Sequence, residues 1–118
     1  MTEKQLQQLV LGACRQLRLL AYHTYDSRKS QPGFPDLVIV GGTTILYREL
    51  KTEKGKVTSA QNYWLDALRH AGIDADVWRP SDWPDRIMAE LQALPPALTR
   101  PLPDQAEIRR KLASRARK

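Results

Sequence analysis

The segment "GFPDLVIVGGTTILYRELKTEKGK", residues 33–56, contains two short apolar runs separated by a glycine-containing turn. The β-branched and alternating residues of "DLVIV" and "TILYREL" predict two strands. Glycine at the first turn position permits the positive φ that tight hairpins require, so a turn centred on Gly42 and Thr43 predicts an antiparallel hairpin. The two strands are otherwise apolar, so the presence of charged residues in them requires an explanation.

The predicted hairpin brings three charged residues to one face. In this register Asp36 lies directly opposite Glu49, with Cβ atoms about 5 Å apart. Side chains alternate along a strand, so Lys51 projects from the same face as Glu49. A turn shifted by one residue would send Asp36 to the opposite face, so the cluster depends on the register.

Two opposed carboxylates destabilise a sheet unless something offsets their repulsion. A divalent cation would do so, and hard oxygen ligands favour Mg²⁺ or Mn²⁺ over zinc, which prefers His or Cys. The alternative is a surface ion pair in which Lys51 neutralises one carboxylate. The pattern alone leaves both interpretations open.

The remaining segments predict helices and strands in the order α-β-β-β-α-β-α. Residues 3–19 have apolar positions at helical spacing, with Thr2 as the N-cap. "LAYHTYDS" predicts a strand, and "TSAQNYWLDALRHAG" has helix start and stop signals, the latter at Gly72. "DADVW" predicts the fourth strand, and "SDWPDRIMAELQAL" predicts a capped helix with Pro84 in its first turn.

The composition is that of a globular domain, with 118 residues of which 42% are hydrophobic and 27% charged. The N-terminus lacks the pattern of a secretion signal and no long apolar run occurs, so we expect a cytoplasmic protein without membrane contact. The lone cysteine, Cys14, predicts a packed thiol, since it has no partner for a disulfide within the chain.

The net charge of +6 is concentrated near the C-terminus, because residues from 100 onward contribute +5. Residues 1–94 are predicted to form the globular domain and residues 95–103, "PPALTRPLP", a proline-rich linker. Residues 104–118 form a basic tail whose acidic start and basic end favour a short helix.

The quoted segment resembles a known signature. "GFPDLVIV" followed by "YRELK" is similar to the P-D…(D/E)-x-K pattern of the restriction-endonuclease-like nuclease superfamily. Within it, the chain resembles the VRR-NUC family in its small standalone form, of the kind found in phages, through "YHTYDSRKSQPGFPDL", "ELKTEKGKVTSAQNYWLDAL" and "DVWRPSDW". The resemblance covers about residues 3–90 and implies an α/β fold with a restriction-endonuclease-like αβββαβ core, a mixed sheet flanked by helices.

By this resemblance, Asp36 and Glu49 would hold Mg²⁺ or Mn²⁺, and the backbone carbonyl of Leu50 could supply another ligand. Lys51 would orient the attacking water or stabilise developing charge. The first helix of the family carries a glutamate, which here can only be Glu3, as a further ligand. Gln61 matches a glutamine that the superfamily often places after E-x-K, although a solvated helix position is the alternative.

Several further residues are candidates for contact with nucleic acid. The alternative for each is a structural or solvated role, as for a histidine packed on a strand, a polar loop or a nonspecific tail. These candidates are His23, Arg28, Lys29, Lys54, Arg109, Arg110 and Lys111.

The resemblance predicts a Mg²⁺-dependent endonuclease that hydrolyses DNA phosphodiester bonds and selects branched DNA, four-way junctions in particular. We expect a homodimer without a small-molecule cofactor. One alternative is a noncatalytic nucleic-acid-binding or assembly module on the same fold. The other is a nuclease of flaps, ends or single strands.

Overall fold

The computed structural model describes residues 1–24, 31–97 and 105–116. The observed element order confirms the predicted one and the α/β class. The elements are α1 (Glu3–Gln16), β1 (Leu20–His23), β2 (Leu37–Gly41), β3 (Thr44–Leu50), α2 (Ser59–His70), β4 (Asp74–Trp78), a 3₁₀ turn (Pro80–Asp82), α3 (Asp85–Gln92) and α4 (Gln105–Ala116).

The four strands form one mixed sheet in the order β1-β2-β3-β4. The pairs β1–β2 and β2–β3 are antiparallel, whereas β3 and β4 are parallel. A parallel pair needs a crossover connection, and α2 provides it. The predicted mixed sheet is therefore confirmed.

The hairpin of β2 and β3 has the predicted register. Leu37 pairs with Arg48 and Gly41 pairs with Thr44. Gly42 in the turn has a φ of 58°, in the region that favours glycine. Asp36 immediately precedes the first of these pairs, so the register continues to Glu49.

The start of α1 agrees with the sequence, but its end does not. The Thr2 hydroxyl accepts a hydrogen bond from the Gln5 N–H at 3.1 Å, which confirms the predicted cap. The helix ends at Gln16 rather than residue 19, because Arg18 has a φ of 60° and the Leu19 N–H turns back to the Cys14 carbonyl. Leu20 therefore begins β1.

The predicted helix of residues 81–94 is wrong in its first part. The Asp82 carboxylate accepts a hydrogen bond from the Arg79 N–H at 2.8 Å and closes a separate 3₁₀ turn. The α-helix begins only at Asp85, with Pro84 at its N-cap position rather than inside its first turn.

The main core lies between the sheet and the pair α1 and α3. Its members are buried apolar side chains from both helices and from β2, β3 and β4: Leu6, Val10, Cys14, Leu37, Ile39, Leu46, Leu50, Trp78, Ile87 and Leu91. Burial raises the pKa of the Cys14 thiol to about 11, as expected for an unreactive packed cysteine.

The opposite face of the sheet receives α2. The ring of Phe34 lies edge-on to those of Tyr47 and Trp64, at centroid distances of 6.0 Å and 5.1 Å. The indole N–H of Trp64 donates a hydrogen bond to the Pro32 carbonyl at 3.1 Å. These contacts connect the segment preceding β2 to α2.

The start of the predicted linker packs against the sheet. Ala97 is buried and its N–H donates to the Arg18 carbonyl at 2.8 Å, while the Gly42 N–H donates to the Pro96 carbonyl at 3.2 Å. Residues 98–104 lie outside the described part of the chain, and the predicted division into domain, linker and tail stays a prediction. The predicted helix in the tail is confirmed as α4.

None of the helices in the described ranges has the length and apolar character needed to cross a bilayer.

A buried cation joins β3, β4 and α3. Arg48 is only 2% exposed, and its Nη2 lies 2.7 Å from a Glu90 carboxylate oxygen and 2.8 Å from an Asp74 oxygen. Its guanidinium also lies 5.1 Å from the ring centroid of Trp78, whose indole N–H donates to the same Glu90 oxygen. This network fixes the edge strand β4 on the sheet.

We expect Arg48→Met to destabilise the protein by about 2 kcal/mol, because it removes the buried, charge-assisted hydrogen bond to Glu90, which keeps Arg86 as a second partner. Urea unfolding monitored by circular dichroism measures the change. Arg69→Met is the matched control, since Arg69 is half exposed and its ion pairs should contribute less than about 1 kcal/mol. Equal destabilisation by the two substitutions would contradict the role given to Arg48.

Candidate active site

Asp36 is fixed by backbone groups from two neighbouring segments. The Leu50 N–H donates a hydrogen bond of 2.8 Å to Oδ2 of Asp36. The main-chain carbonyl of Asp36 accepts a hydrogen bond from the Thr24 N–H at 3.3 Å. The carboxylate is therefore held against the end of β3, where Glu49 lies.

Glu49 is a buried acid with one satisfied and one unsatisfied oxygen. It is 3% exposed, and its Oε2 accepts a hydrogen bond from the Gln61 amide at 2.8 Å. Its Oε1 is buried and accepts no hydrogen bond from the described residues. Burial is the main cause that raises the pKa of Glu49 to about 8, and the negative charge of the neighbouring Asp36 raises it further.

Gln61 is oriented by the cap of its own helix. Its side-chain oxygen accepts a hydrogen bond from the Thr58 N–H at 2.9 Å, and the Thr58 hydroxyl accepts one from the Gln61 N–H at 3.2 Å. This reciprocal pair is a capping box. It leaves the amide nitrogen of Gln61 directed at Glu49, so a local helix-start signal also places an active-site side chain.

A cavity of about 310 Å³, called the active-site cavity below, brings together the predicted catalytic and metal-ligating residues other than Leu50. Its lining includes Glu3, Asp36, Glu49, Lys51 and Gln61. The positive charge of Lys51 lowers the pKa of Glu49, whereas Glu3 raises it, so both act electrostatically on the buried acid. Glu3 thus lines the same cavity as the two acids, and its role as a further metal ligand stays a prediction.

A second cavity of about 450 Å³ shares Glu3 and Asp36 with the first and extends past Leu50 to His23. Nδ1 of His23 lies 3.4 Å from the Gln7 amide nitrogen, so the ring packs against α1 at the rim of this cavity.

The other predicted nucleic-acid contacts are scattered. Lys54 is exposed on the connection from β3 to α2, and the basic residues of α4 are exposed on a separate helix. Arg28 and Lys29 lie outside the described residues. The basic residues of α4 are Arg109, Arg110 and Lys111.

The donor set fits a divalent cation held partly by water or phosphate. Asp36 and Glu49 supply carboxylate oxygens, and the unsatisfied Oε1 of Glu49 is a buried acceptor of the kind that a cation would satisfy. Within residues 1–24, 31–97 and 105–116 no three His, Cys, Asp or Glu side chains converge on a metal position. Two carboxylates suit Mg²⁺ or Mn²⁺, which retain several waters, better than zinc.

Sequence reasoning missed two residues that support the site. Arg48, on the opposite face of β3 from Glu49, is buried, and an alternating strand pattern gives no sign of a core arginine. Arg79 donates hydrogen bonds to carbonyls of the connection that follows Lys51. The sequence signal that could have identified Arg79 is its position directly after β4.

Comparison with known proteins identifies a family and a related fold. The VRR-NUC domain family matches residues 1–82. A solved structure described as a VRR_NUC domain protein superposes with a TM-score of 0.61 at 23% identity, over 81% of this chain and 92% of that one. Hjc, a Holliday junction resolvase of Archaeoglobus fulgidus, has a TM-score of 0.49 at 20% identity, over 65% and 69%. No curated protein matches the chain.

The αβββαβ core, with Asp36 and Glu49 meeting across a hairpin, is the α/β fold shared with the solved VRR_NUC domain protein. The chain belongs to the VRR-NUC family.

We expect Glu49→Gln to stabilise the metal-free protein near pH 8. The unfolded acid loses its proton near 4.5 and the folded one near 8, so the stability due to protonated Glu49 is complete below 4.5 and is lost as pH rises to 8. The loss approaches about 1.4 kcal/mol per pH unit for one proton. A glutamine amide donates hydrogen bonds without a charge, so the variant should lack this dependence.

Thermal unfolding in EDTA between pH 5 and pH 8 measures the effect. Asp66→Asn is the control, because Asp66 is an exposed acid of α2 and should leave the wild-type pH dependence intact. A wild-type midpoint that does not fall relative to that of Glu49→Gln would show that Glu49 is ionised throughout this range.

Proposed function

We propose that the protein is a metal-dependent endonuclease that hydrolyses DNA phosphodiester bonds. The observation that carries this proposal is the buried, unsatisfied Oε1 of Glu49, next to Asp36 in a cavity that Lys51 also lines. Burying the Glu49 carboxylate beside a second acid, the partly buried Asp36, is costly unless a cation balances the pair. Membership of the VRR-NUC family supports hydrolysis of nucleic acid.

Asp36 and Glu49 would hold Mg²⁺ or Mn²⁺, with the Leu50 carbonyl as a further oxygen ligand and Glu3 at the rim. The bound cation supplies Lewis acidity and a water of lowered pKa. Lys51 contributes a positive charge where negative charge develops on the phosphate. Gln61 holds the Glu49 carboxylate in place through its 2.8 Å hydrogen bond.

The proposal extends to a homodimer that acts on branched DNA, four-way junctions in particular. The sheet face on which α2 packs also carries exposed apolar side chains beside that helix. These are Leu20 and Tyr22 of β1 and Ile45 of β3, which are 46%, 64% and 42% exposed. Val40 pairs with both Leu20 and Ile45, so these side chains form one surface. An exposed apolar surface of this kind supports self-association, and two paired sites could cut two strands.

We expect Asp36→Asn and Lys51→Ala each to lower cleavage by at least about 100-fold, since each removes a charge from the reacting centre. The assay follows a labelled four-way junction, a matched linear duplex and a single strand with Mg²⁺, Mn²⁺ or EDTA. Asp66→Asn should cut like the wild type. Cleavage of the junction in preference to the duplex, and none in EDTA, is the expected result.

Isothermal titration with Mn²⁺ separates the enzyme from a noncatalytic module on the same fold. Wild type should bind Mn²⁺ and Asp36→Asn should not. Absence of Mn²⁺ binding and of cleavage by a protein that still binds DNA would refute the enzymatic proposal. Preferential cutting of flaps, ends or single strands would refute the junction substrate alone.

We expect Tyr22→Lys to convert a dimer into a monomer, because it places a charge in the proposed apolar interface. Light scattering coupled to size exclusion at micromolar concentration gives the mass. Tyr63→Lys is the matched control, since Tyr63 is 77% exposed on α2, away from that surface. A monomeric wild type would contradict the homodimer.

A further inference from the structure

The connection between β3 and α2, residues 51–57, is a basic loop at the edge of the active-site cavity. It carries three lysines and one glutamate between residues 51 and 56. Lys51 at its start and Gln61 in the following helix both line the cavity. Lys54 and Lys56 are exposed between them. The loop is therefore a charged segment with both of its ends anchored at the candidate reaction centre.

Arg79 holds this loop by its backbone. A single guanidinium nitrogen of Arg79, Nη1, lies 2.7 Å from the Thr52 carbonyl oxygen and 3.2 Å from that of Glu53. It lies 2.8 Å from the carbonyl oxygen of Gly55. Three carbonyl dipoles thus converge on one cationic group, which offsets their mutual repulsion. Without that cation the carbonyls of Glu53 and Gly55 would lose this donor, and the turn would keep the hydrogen bond of 3.2 Å from the Gly55 N–H to the Thr52 carbonyl.

The residues around Arg79 strengthen this connection. The Arg79 N–H is held by the Asp82 carboxylate, which fixes the start of the 3₁₀ turn. In the same turn the Ser81 N–H donates to the Glu53 carboxylate at 2.9 Å. The Lys51 N–H donates to the Trp78 carbonyl at 3.1 Å, at the end of the parallel strand pair. The loop is tied to β4 and the 3₁₀ turn at several points, yet the side chains of Lys54 and Lys56 remain exposed.

We propose that Arg79 is a positioning residue that fixes loop 51–57 so that Lys54 and Lys56 bind phosphates of the DNA backbone beside the Asp36–Glu49 pair. This inference rests on the proposed function, since it names how that same site holds its substrate. Because the loop is already ordered, binding does not carry the entropic cost of ordering the backbone that holds the two lysines. Contacts of this type position the duplex and carry no sequence information.

The decisive experiment measures binding of a labelled four-way junction in EDTA over a range of salt concentrations, where no cleavage is expected. The doubly substituted Lys54→Ala/Lys56→Ala protein should lower the slope of log affinity against log salt by about 2, one unit for each phosphate contact. Arg79→Met, which keeps the length of the stem and removes the cation, should weaken binding and lower the slope in the same direction. Arg79→Lys, which keeps the charge, should recover part of both.

Arg69→Met is the matched control, because Arg69 also donates to a backbone carbonyl, that of Ala75, and lies in α2 away from the loop. It should bind the junction with the wild-type slope. Hydrogen exchange measured on the same proteins should show faster exchange at the Gly55 amide in Arg79→Met, while the amides of α2 stay protected.

The outcomes separate this inference from the function on which it rests. If the wild type binds DNA and Arg79→Met binds with unchanged affinity and slope, the positioning role is refuted and the proposed nuclease is unaffected. The same conclusion follows if Arg79→Met and Arg69→Met lose affinity equally, which would indicate a general effect on stability. If the wild type itself binds no DNA, the proposed function fails.

Discussion

The structure of the site depends on one constraint, the pairing register of the β2–β3 hairpin. Because Leu37 pairs with Arg48, the next position outward sets Asp36 against Glu49, and the Leu50 N–H holds the Asp36 carboxylate in place. A shift of one residue would put the two acids on different faces and move Leu37 out of the core. The same pairing therefore serves folding and chemistry, since the apolar side chains that fix the register also fix the carboxylates.

The alternation of faces along β3 places two different electrostatic arrangements back to back. Glu49 and Lys51 face the candidate site. Arg48 points into the core, where Asp74 and Glu90 pair with its charge, while its buried Nε has no hydrogen-bond partner among the described residues. The core network is neutralised within the protein. The active-site face is not, since burial raises the pKa of Glu49 and leaves one oxygen without a donor. A buried carboxylate that the protein does not neutralise lowers the stability of the metal-free protein. Such a group is also what a cation-binding site requires.

The elements that connect to the parallel pair β3–β4 bring further side chains to the candidate site. Its crossover helix α2 begins at a capping box that directs Gln61 toward Glu49, and the chain beyond β4 returns Arg79 to the connection after Lys51. Elements distant in sequence thus limit the movement of the segment that carries Glu49 and Lys51. Precise positioning is a large part of the catalytic advantage in phosphodiester hydrolysis, because the protein contributes geometry and charge more than covalent chemistry.

The sequence by itself determined the order of elements, the hairpin and its register, and the threonine caps of α1 and α2. These follow from local rules: apolar alternation, glycine in a turn, and a capping threonine followed by glutamine. Local rules also misplaced the end of α1 and the start of α3, where Arg18 and Asp82 form bonds that redirect the chain. Only the tertiary structure decided that Arg48 is buried, that Glu49 keeps an unsatisfied oxygen, and that Arg79 binds the loop after Lys51. Each of these depends on contacts between residues far apart in the chain, for which no periodicity exists in the sequence.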